Sequence, residues 1–322
     1  MALLEVQELS VGYRTARGML QAVDKVSFRV EAGRSLGLVG ESGCGKTTIG
    51  MALMGLLPPN GMVTGGRILL EGRDLLQLSQ DQMRSVRWKE VAMIFQAAMN
   101  ALNPVQRVGD QLMEAILTHQ PELGKAQARK KVEAMYQLVG MDPARMRDYP
   151  HQYSGGMKQR AVIAMALACN PKLIIADEPT TALDVIVQDR ILQETKKLQQ
   201  EFNLGMIFIS HDISIVAEVC HHIGVMYAGQ LVEIGTVEEV FYQASHPYTR
   251  ALLASYPTLA GELSQLKPIP GEPPHLVGTL PACRFCSRCP RPQAQCSMEP
   301  PAWQSLSQTH QVLCDHCYQG GE

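Results

Sequence analysis

The sequence predicts an α/β protein built on a parallel, doubly wound sheet, and three observations support this fold class. Short apolar runs that suit buried parallel strands recur at residues 35–40, 172–177 and 204–210. Helical segments lie between these runs, which is the alternation that a parallel sheet requires. The first run ends in a glycine-rich turn, GESGCGKT at residues 40–47, and a helical stretch follows it.

The N-terminal third begins with strands. The first 36 residues alternate between apolar and polar side chains, and Val26, Phe28 and Val30 share one face. A helix is expected over residues 46–57, closed by two prolines, and residues 66–72 predict another strand.

The middle of the chain, residues 97–152, is predicted to be helical. Val132, Met135, Tyr136 and Val139 fall on one face of a helix that Gly140 and Pro143 end. The neighbouring basic residues, Arg129, Lys130 and Lys131, are expected on its solvated face rather than in a binding patch.

The C-terminal part has a different composition. From about residue 244 the chain is rich in proline, which predicts an extended connector. It leads to a cysteine module that holds six of the nine cysteines: Cys283, Cys286, Cys289, Cys296, Cys314 and Cys317. Because disulfides are disfavoured in a cytosolic chain, this cluster favours metal binding over disulfide bonds.

Bulk properties exclude several classes. The 322 residues are 46% hydrophobic, carry a net charge of −2 and have a pI near 6.5, which argues against a general nucleic-acid binder. The N-terminus shows no signal peptide, and no run approaches the ~20 apolar residues of a membrane span. We therefore expect a cytoplasmic chain that can dock on a membrane component.

The turn at residues 40–47 matches the phosphate-binding pattern G-x4-G-K-[ST]. Its glycines let backbone N–H groups curl around a phosphate, Lys46 reaches the β- and γ-phosphates, and the Thr47 hydroxyl is a Mg²⁺ ligand. The residues expected at the nucleotide are Gly40, Glu41, Ser42, Gly43, Cys44, Gly45, Lys46, Thr47 and Thr48. Cys44 is interpreted as a small residue that fills the turn.

Polar residues end the two later apolar runs, where a parallel sheet binds its ligands. Asp177 suits a Mg²⁺ shell, and Glu178 can polarise the attacking water. His211 can hydrogen-bond the γ-phosphate and hold that water in line. Phosphoryl transfer needs little beyond such placement and charge stabilisation.

A second anion-site pattern begins at Ser154, which with Gly155 and Gly156 precedes a helix. Ser154 is a predicted N-cap, so an ordinary capped helix is the simplest interpretation. This S-G-G start, about twenty residues before a strand that ends in D-E-P, resembles the ATP-binding cassette (ABC) ATPase family. In that family the element binds the γ-phosphate of ATP held by a second cassette.

The resemblance covers about residues 4–243 and implies a P-loop NTPase fold with a RecA-like parallel sheet. It implies an N-terminal antiparallel β subdomain, an inserted helical subdomain at about 97–160, and an ATPase domain over 1–243 followed by an extension over 244–322. It also implies roles for particular residues: Tyr13 on adenine, Gln96 at Mg²⁺ and water, Ser154–Gln159 as signature, Glu178 as catalytic glutamate, Ala182–Asp184 at the dimer seam, and His211 as switch histidine. Tyr153 and Met157 depart from the commonest signature, L-S-G-G-Q.

The extension resembles the oligopeptide, dipeptide and nickel importer branch, on HPYTRALL at residues 246–253 and IPGEPP at 269–274. Residues 100–104, beyond Gln96, resemble this branch as well. The resemblance implies an ATPase on the cytoplasmic face of the membrane that powers import of peptides, or alternatively of nickel or oligosaccharide. Its implied partners are a second and usually different cassette, two membrane permease subunits, and an extracytoplasmic binding protein. Two alternative hypotheses remain: a nucleic-acid-linked ATPase with a zinc module, and a regulatory cassette protein that has no role in transport.

The cysteine module leaves its metal open. In some members of this branch four cysteines bind a [4Fe–4S] cluster, and the matching residues here are Cys283, Cys289, Cys296 and Cys314. Cys286 and Cys317 create two C-x2-C pairs that suit a tetrahedral zinc site. A module without metal is the third possibility.

Overall fold

The computed structural model describes residues 2–96, 101–180, 183–255, 268–278 and 280–318. These residues form two compact units. The first consists of Met1–Leu3, Val30–Arg34 and Leu75–Phe208, and the second of Leu4–Arg29, Ser35–Asp74 and Ile209–Glu322. Each unit is an α/β assembly of buried strands and covering helices.

The described strands are β1 Ala2–Thr15, β2 Gly18–Glu31, β3 Ser35–Val39, β4 Gly61–Leu70, β5 Arg73–Asp74, β6 Val91–Ile94, β7 Leu173–Asp177, β8 Gly205–Ser210, β9 His222–Tyr227, β10 Gln230–Thr236, β11 Trp303–Ser305 and β12 Gln311–Leu313. The described helices are α1 Lys46–Leu53, α2 Gln80–Val86, α3 Val108–His119, α4 Lys125–Leu138, α5 Gly155–Leu167, α6 Val185–Glu201, α7 Ile213–Val219, α8 Val237–Tyr242 and α9 Pro247–Ala254. Among these helices, none has the length and apolar character that crossing a bilayer requires.

Two sheets organise the second unit. An antiparallel sheet has the strand order β2-β1-β4-β5, which confirms the predicted N-terminal β subdomain. The other sheet contributes β11-β12-β10-β9-β3 in that order, and β3 and β9 run parallel. The sheet is mixed at this edge, because β9, β10, β12 and β11 pair antiparallel in that order. A tight turn at residues 228–229 joins β9 to β10, and such a turn can only reverse the chain.

The first unit holds the predicted helical segment and the strands next to it. Strands β6 and β7 pair in parallel, and all five residues of β7 are buried. In α4, Val132 and Tyr136 are buried while Arg129 is exposed and pairs with Glu133 over 3.4 Å, as the helical pattern predicts. The start of this segment at Ala97 lies outside the described residues, as do residues 98–100.

Helix α1 is shorter than predicted, because it ends at Leu53 rather than at residue 57. Gly55 adopts a left-handed φ of 60°, its N–H donates to Ala52 O, and the Leu56 N–H donates to Met51 O. This pair of bonds satisfies carbonyls of the last turn, so the glycine ends the helix before the prolines do.

The proline-rich connector also contains regular structure that the sequence analysis missed. Pro247 is the first residue of α9, and His246 caps this helix by accepting from the Tyr248 N–H at 3.0 Å. Proline suits the first position of a helix, where its absent N–H has no partner to lose. The extension then adds β11 and β12 to the sheet of the second unit.

Candidate functional site

The phosphate loop lies in the second unit, between the fully buried β3 and α1. A Cβ added at Gly40 would lie 2.1 Å from Met226 O, and one at Gly45 would lie 2.4 Å from Ala22 O. Both glycines have positive φ, 148° and 106°. The neighbouring backbone therefore excludes side chains at both positions and imposes the tight curl of the loop.

Lys46 is held inside this loop. Its side chain is buried, and Nζ donates to Gly40 O at 2.7 Å and to Glu41 O at 3.0 Å. Thr47 is exposed beside it. The loop therefore holds a buried cationic side chain against its own carbonyl groups.

Cys44 packs into the base of the loop. Its side chain is 4% exposed, and burial raises the pKa of its thiol although Lys46 is close. A protonated, buried thiol is a poor nucleophile, so the structure favours the interpretation of Cys44 as a filler of the turn.

The predicted adenine-stacking residue, Tyr13, lies on β1 in the same unit. Its hydroxyl and the Thr48 hydroxyl are 3.1 Å apart, and its ring lies against Gly61 of β4. The contact joins Tyr13 to the first turn of α1, directly after the phosphate loop.

The predicted catalytic carboxylate lies in the first unit. Asp177 ends β7 and is 1% exposed, and Glu178 follows it with a left-handed φ of 46°. Non-glycine residues adopt this conformation at a cost, and residues with such backbone strain cluster at functional sites. Gln96 Nε2 donates to Glu178 Oε2 at 3.0 Å, so the structure brings together two residues predicted at the attacking water.

His211 directly follows β8 and is exposed. The next residue, Asp212, caps α7 by accepting from the Ser214 N–H at 2.9 Å. The histidine therefore stands at the junction of a buried strand and a helix, as predicted.

The S-G-G element begins α5 in the first unit. Ser154 is its N-cap and accepts from the Met157 N–H at 3.3 Å, as predicted. A Cβ at Gly156 would lie 2.9 Å from Val187 of α6, so the close approach of two helices favours glycine there. Gln159, predicted at the nucleotide, is only 3% exposed, and its Nε2 has no hydrogen-bond partner among the described residues.

The structure accounts for the unusual Tyr153 in this element. The Tyr136 and Tyr153 hydroxyls are 2.8 Å apart, and Tyr153 donates to Arg145 O at 2.9 Å. Burial raises the pKa of both phenols. Tyr153 therefore fixes the start of α5 to α4 through a buried polar contact rather than through the leucine of the commonest signature.

The predicted dimer-seam loop is described only from Leu183 onward, and Ala182 lies outside the described residues. Asp184 caps α6 by accepting from the Val187 N–H at 2.9 Å. The next two side chains, Val185 and Ile186, are 78% and 82% exposed. This turn therefore presents apolar surface to solvent.

The cysteine module belongs to the second unit and brings several thiols near one another. Burial raises the pKa values of Cys283, Cys286 and Cys289, and the nearby Cys296 raises each of them further. Burial likewise raises the pKa of Cys314 to about 12, with further contributions from Cys317, Cys283 and Cys289. Among the described residues, however, no set of three or more His, Cys, Asp or Glu side chains is arranged to hold a metal ion.

Sequence reasoning missed the contacts that join this module to the phosphate loop. Arg288, between two of the cysteines, makes a two-pronged ion pair with Glu41 at 2.7 and 2.9 Å. Tyr248 of α9 accepts the Glu41 N–H at 3.0 Å. The partners lie more than 200 residues apart, and no local pattern marks either pairing.

Comparisons with known proteins agree with this geometry. A model of the ABC transporter family matches residues 23–181, and a model of the oligopeptide/dipeptide transporter C-terminal region matches residues 232–296. The dipeptide transport ATP-binding protein DppD of Bacillus subtilis is 48% identical over 97% of this chain and 93% of its own length. The oligopeptide transport ATP-binding protein OppD of Escherichia coli is 46% identical over 93% of this chain and 89% of its own length.

Solved structures show the same fold. The ATP-binding cassette MJ0796, solved as a dimer bound to ADP and Pi, has a TM-score of 0.65 over 73% of this chain and 98% of its own, at 24% identity. The cbiO1 protein of Clostridium perfringens, part of an ABC transporter complex, has a TM-score of 0.66 over 75% of this chain and 91% of its own, at 26% identity. The chain therefore belongs to the ABC transporter family, in its branch of oligopeptide and dipeptide transport ATP-binding proteins, and is an ATPase.

Proposed function

We propose that this chain is the ATP-binding and ATP-hydrolysing subunit that powers import of peptides through an ABC transporter. The observation that carries the proposal is the similarity along nearly the whole chain to dipeptide and oligopeptide transport ATP-binding proteins, extension included. The curated relatives are named for peptides, which favours peptides over nickel or oligosaccharide as cargo. They also disfavour the nucleic-acid-linked alternative.

The phosphate loop supplies the nucleotide site. Gly40 and Gly45 shape its backbone, and the buried Lys46 changes partners from its own loop carbonyls to the phosphates of ATP. Thr47, Gln96 and Asp177 offer hydroxyl, amide and carboxylate oxygens, which are the donors that Mg²⁺ prefers. Mg²⁺ neutralises phosphate charge when bound there.

Hydrolysis is assigned to Glu178 with Gln96 and His211. The hydrogen bond from Gln96 Nε2 at 3.0 Å orients the Glu178 carboxylate, which acts as general base toward the attacking water. Glu178 accepts a proton from that water, and His211 holds the γ-phosphate at the end of β8.

Two cassettes are proposed to complete each other's sites. Ser154, Gly155 and Gly156 lie at the N-terminus of α5, and the N-terminus of a helix favours an anion. The exposed Val185 and Ile186 beside Asp184 are the kind of apolar surface that a partner cassette covers. Gln159 reaches a nucleotide only if its buried amide moves when the dimer closes.

The assembly follows from the family. The ATPase domain, residues 1–243, acts with a second cassette, two membrane permease subunits and an extracytoplasmic solute-binding protein. Its helical subdomain, about 97–160, grips a permease subunit, which places the chain at the cytoplasmic face of the membrane as a peripheral subunit. ATP-driven closure of the cassettes then biases the permease between two states.

The extension, residues 244–322, is proposed to hold a [4Fe–4S] cluster through Cys283, Cys289, Cys296 and Cys314. The all-thiol donor set suits iron–sulfur. Besides burial, the Cys296 thiol raises the pKa values of Cys283 and Cys289, and these two raise the pKa of Cys314, although the structure does not assemble the four residues into a ligating group. Zinc, with Cys286 and Cys317 as ligands, is the alternative. Anaerobic purification with a visible spectrum and iron and zinc analysis separates the two; a protein with neither metal refutes both.

Glu178→Gln tests the catalytic assignment. The variant should bind MgATP, lose at least about a hundredfold in ATPase rate, and accumulate as an ATP-bound dimer, because only the proton acceptor is removed. Glu201→Gln, at an exposed position of α6, is the matched control and should keep the wild-type rate. If Glu178→Gln hydrolysed ATP at the wild-type rate, the catalytic role of Glu178 would be refuted.

A further inference from the structure

Arg288 of the cysteine module donates a hydrogen bond from each of its three guanidinium nitrogens. It is 4% exposed, and its guanidinium grips the partly exposed Glu41 carboxylate with both prongs, at 2.7 and 2.9 Å. Its Nε donates to Pro270 O at 2.8 Å and a further N–H to the Tyr227 hydroxyl at 3.3 Å. Such a fork fixes both the position and the orientation of the carboxylate that it binds.

Glu41 is the second residue of the phosphate loop, and each of its polar groups has a hydrogen-bond or ion-pair partner. Its N–H donates to the Tyr248 hydroxyl at 3.0 Å, its carbonyl accepts from Lys46 Nζ at 3.0 Å, and its carboxylate is held by Arg288. Two of these three partners belong to the extension, and the third is the lysine of the loop itself. The loop conformation therefore depends on residues that lie far along the chain.

An aromatic cluster makes this support rigid. The rings of Tyr227 and Tyr248 are 4.6 Å apart, and Phe285 packs on them at 5.2 and 5.4 Å. Phe285 is 2% exposed and lies three residues before Arg288. The packing limits the freedom of Arg288 to move away from Glu41.

The charge of Glu41 makes its position important. A loop that binds phosphates gains nothing from a carboxylate, which repels anions and can attract the loop's own lysine. The carboxylate is paired with Arg288, which neutralises its charge. Lys46 Nζ donates instead to the carbonyls of Gly40 and Glu41 and to the Cys44 sulfur. Without Arg288, Glu41 is free to compete with ATP for Lys46.

We propose that Arg288 is a positioning residue for ATP binding, which holds the Glu41 carboxylate away from Lys46 and from the nucleotide phosphates. The inference rests on the proposed role of residues 40–47 as the ATP-phosphate loop. It assigns to the cysteine module a function in the nucleotide site that does not depend on which metal the module holds.

The test is a set of full-length variants whose affinity for MgATP is measured by equilibrium binding of a fluorescent ATP analogue with ATP competition. Arg288→Gln should weaken binding by about tenfold, because it leaves a partly buried carboxylate unpaired in an anion site. Arg288→Lys, which keeps the charge but loses the fork, should lie between this variant and wild type. In steady state the change should fall on KM rather than on kcat.

The double variant Glu41→Gln/Arg288→Gln separates charge from packing. Since it removes the unpaired carboxylate, it should return the affinity to within about threefold of wild type. If Arg288 only braced the module, the double variant would bind as weakly as Arg288→Gln or more weakly, and the proposal would be overturned. Unchanged affinity in Arg288→Gln would overturn it as well.

Two controls make the outcome specific. Arg291→Gln changes an exposed arginine of the same module and should bind ATP as wild type does. Lys46→Ala should abolish MgATP binding, and if it did not, the proposed function of the loop would fail. If Lys46→Ala abolishes MgATP binding but Arg288→Gln leaves the affinity unchanged, only the present inference is refuted. If thermal unfolding shows that Arg288→Gln does not fold, the test relies on Arg288→Lys and the double variant. An affinity for MgATP that is lowered equally in these two variants contradicts the proposal.

Discussion

The buried tyrosine pair at the start of α5 offers a quantitative test of how the signature element is held. Tyr153 donates to Arg145 O and is therefore the acceptor for the Tyr136 hydroxyl, 2.8 Å away. The two hydroxyls are not equivalent: among the residues that the structure describes, Tyr153 has two hydrogen-bond partners, whereas Tyr136 has one, Tyr153. Tyr136 is fully buried, so its hydroxyl has no access to water.

Tyr153→Phe should therefore cost more than Tyr136→Phe. The first change strands the Tyr136 hydroxyl in a dry site and removes the donor to Arg145 O, which together cost about 2–4 kcal/mol of unfolding free energy. The second change removes one hydrogen bond and leaves Tyr153 with its carbonyl acceptor, which costs about 0.5–1.5 kcal/mol. In the double variant no hydroxyl is stranded, so its cost should be smaller than the sum of the two single costs.

Urea unfolding followed by tryptophan fluorescence measures these differences. Trp88 lies in the same unit and donates to Met165 O of α5 at 2.6 Å, so it reports on the packing of this helix. Equal costs for the two single variants, or strictly additive costs in the double variant, would refute the hydrogen-bond arrangement on which the reasoning depends.

Three further predictions concern the phosphate loop and the extension. Gly45→Ala should weaken MgATP binding by at least about tenfold. The alanine Cβ would clash with Ala22 O, and a non-glycine residue in a left-handed conformation costs about 1–2 kcal/mol. Wild-type affinity in equilibrium binding would contradict this prediction. Burial lowers the pKa of His246 from 6.5 to about 4, so the unfolded chain binds more protons and stability should fall as the pH drops from 6.5 toward 4, by up to about 1.4 kcal/mol per unit. His246→Asn, which keeps an acceptor for the α9 cap, should flatten this part of the unfolding profile, and an unchanged slope would count against the assignment. Phe285→Ala should cost about 3–5 kcal/mol in thermal unfolding while the 41% exposed Phe202 tolerates alanine, and similar costs would show that the extension is not packed as described.

Local patterns predicted much of the site. The phosphate loop, the helix cap at Ser154 and the buried strand before Asp177 each depend on a few neighbouring residues, and the structure places all three as predicted. Resemblance extended this to Gln96 and Glu178, which lie 82 positions apart and meet at 3.0 Å. The roles of these residues in hydrolysis remain predictions that the variants above test.

Errors arose where a distant segment or a competing local signal decided the outcome. The two prolines predict the end of α1 at residue 57, but Gly55 ends the helix earlier through its left-handed backbone. The proline content of the extension predicts an irregular connector, yet α9, β11 and β12 are regular. Strand β12 pairs with β10 and with β11, and α9 packs on the hydrophobic core that β9 and β10 help to form.

The sequence by itself determined the nucleotide-binding chemistry, because a phosphate loop, a helix start and a strand end are built from consecutive residues whose backbone preferences are local. Only the tertiary structure decided that Arg288 grips Glu41 across 247 positions and that Tyr153 pairs with Tyr136. An arginine or a tyrosine has many possible partners, and which one it meets depends on how the whole unit packs.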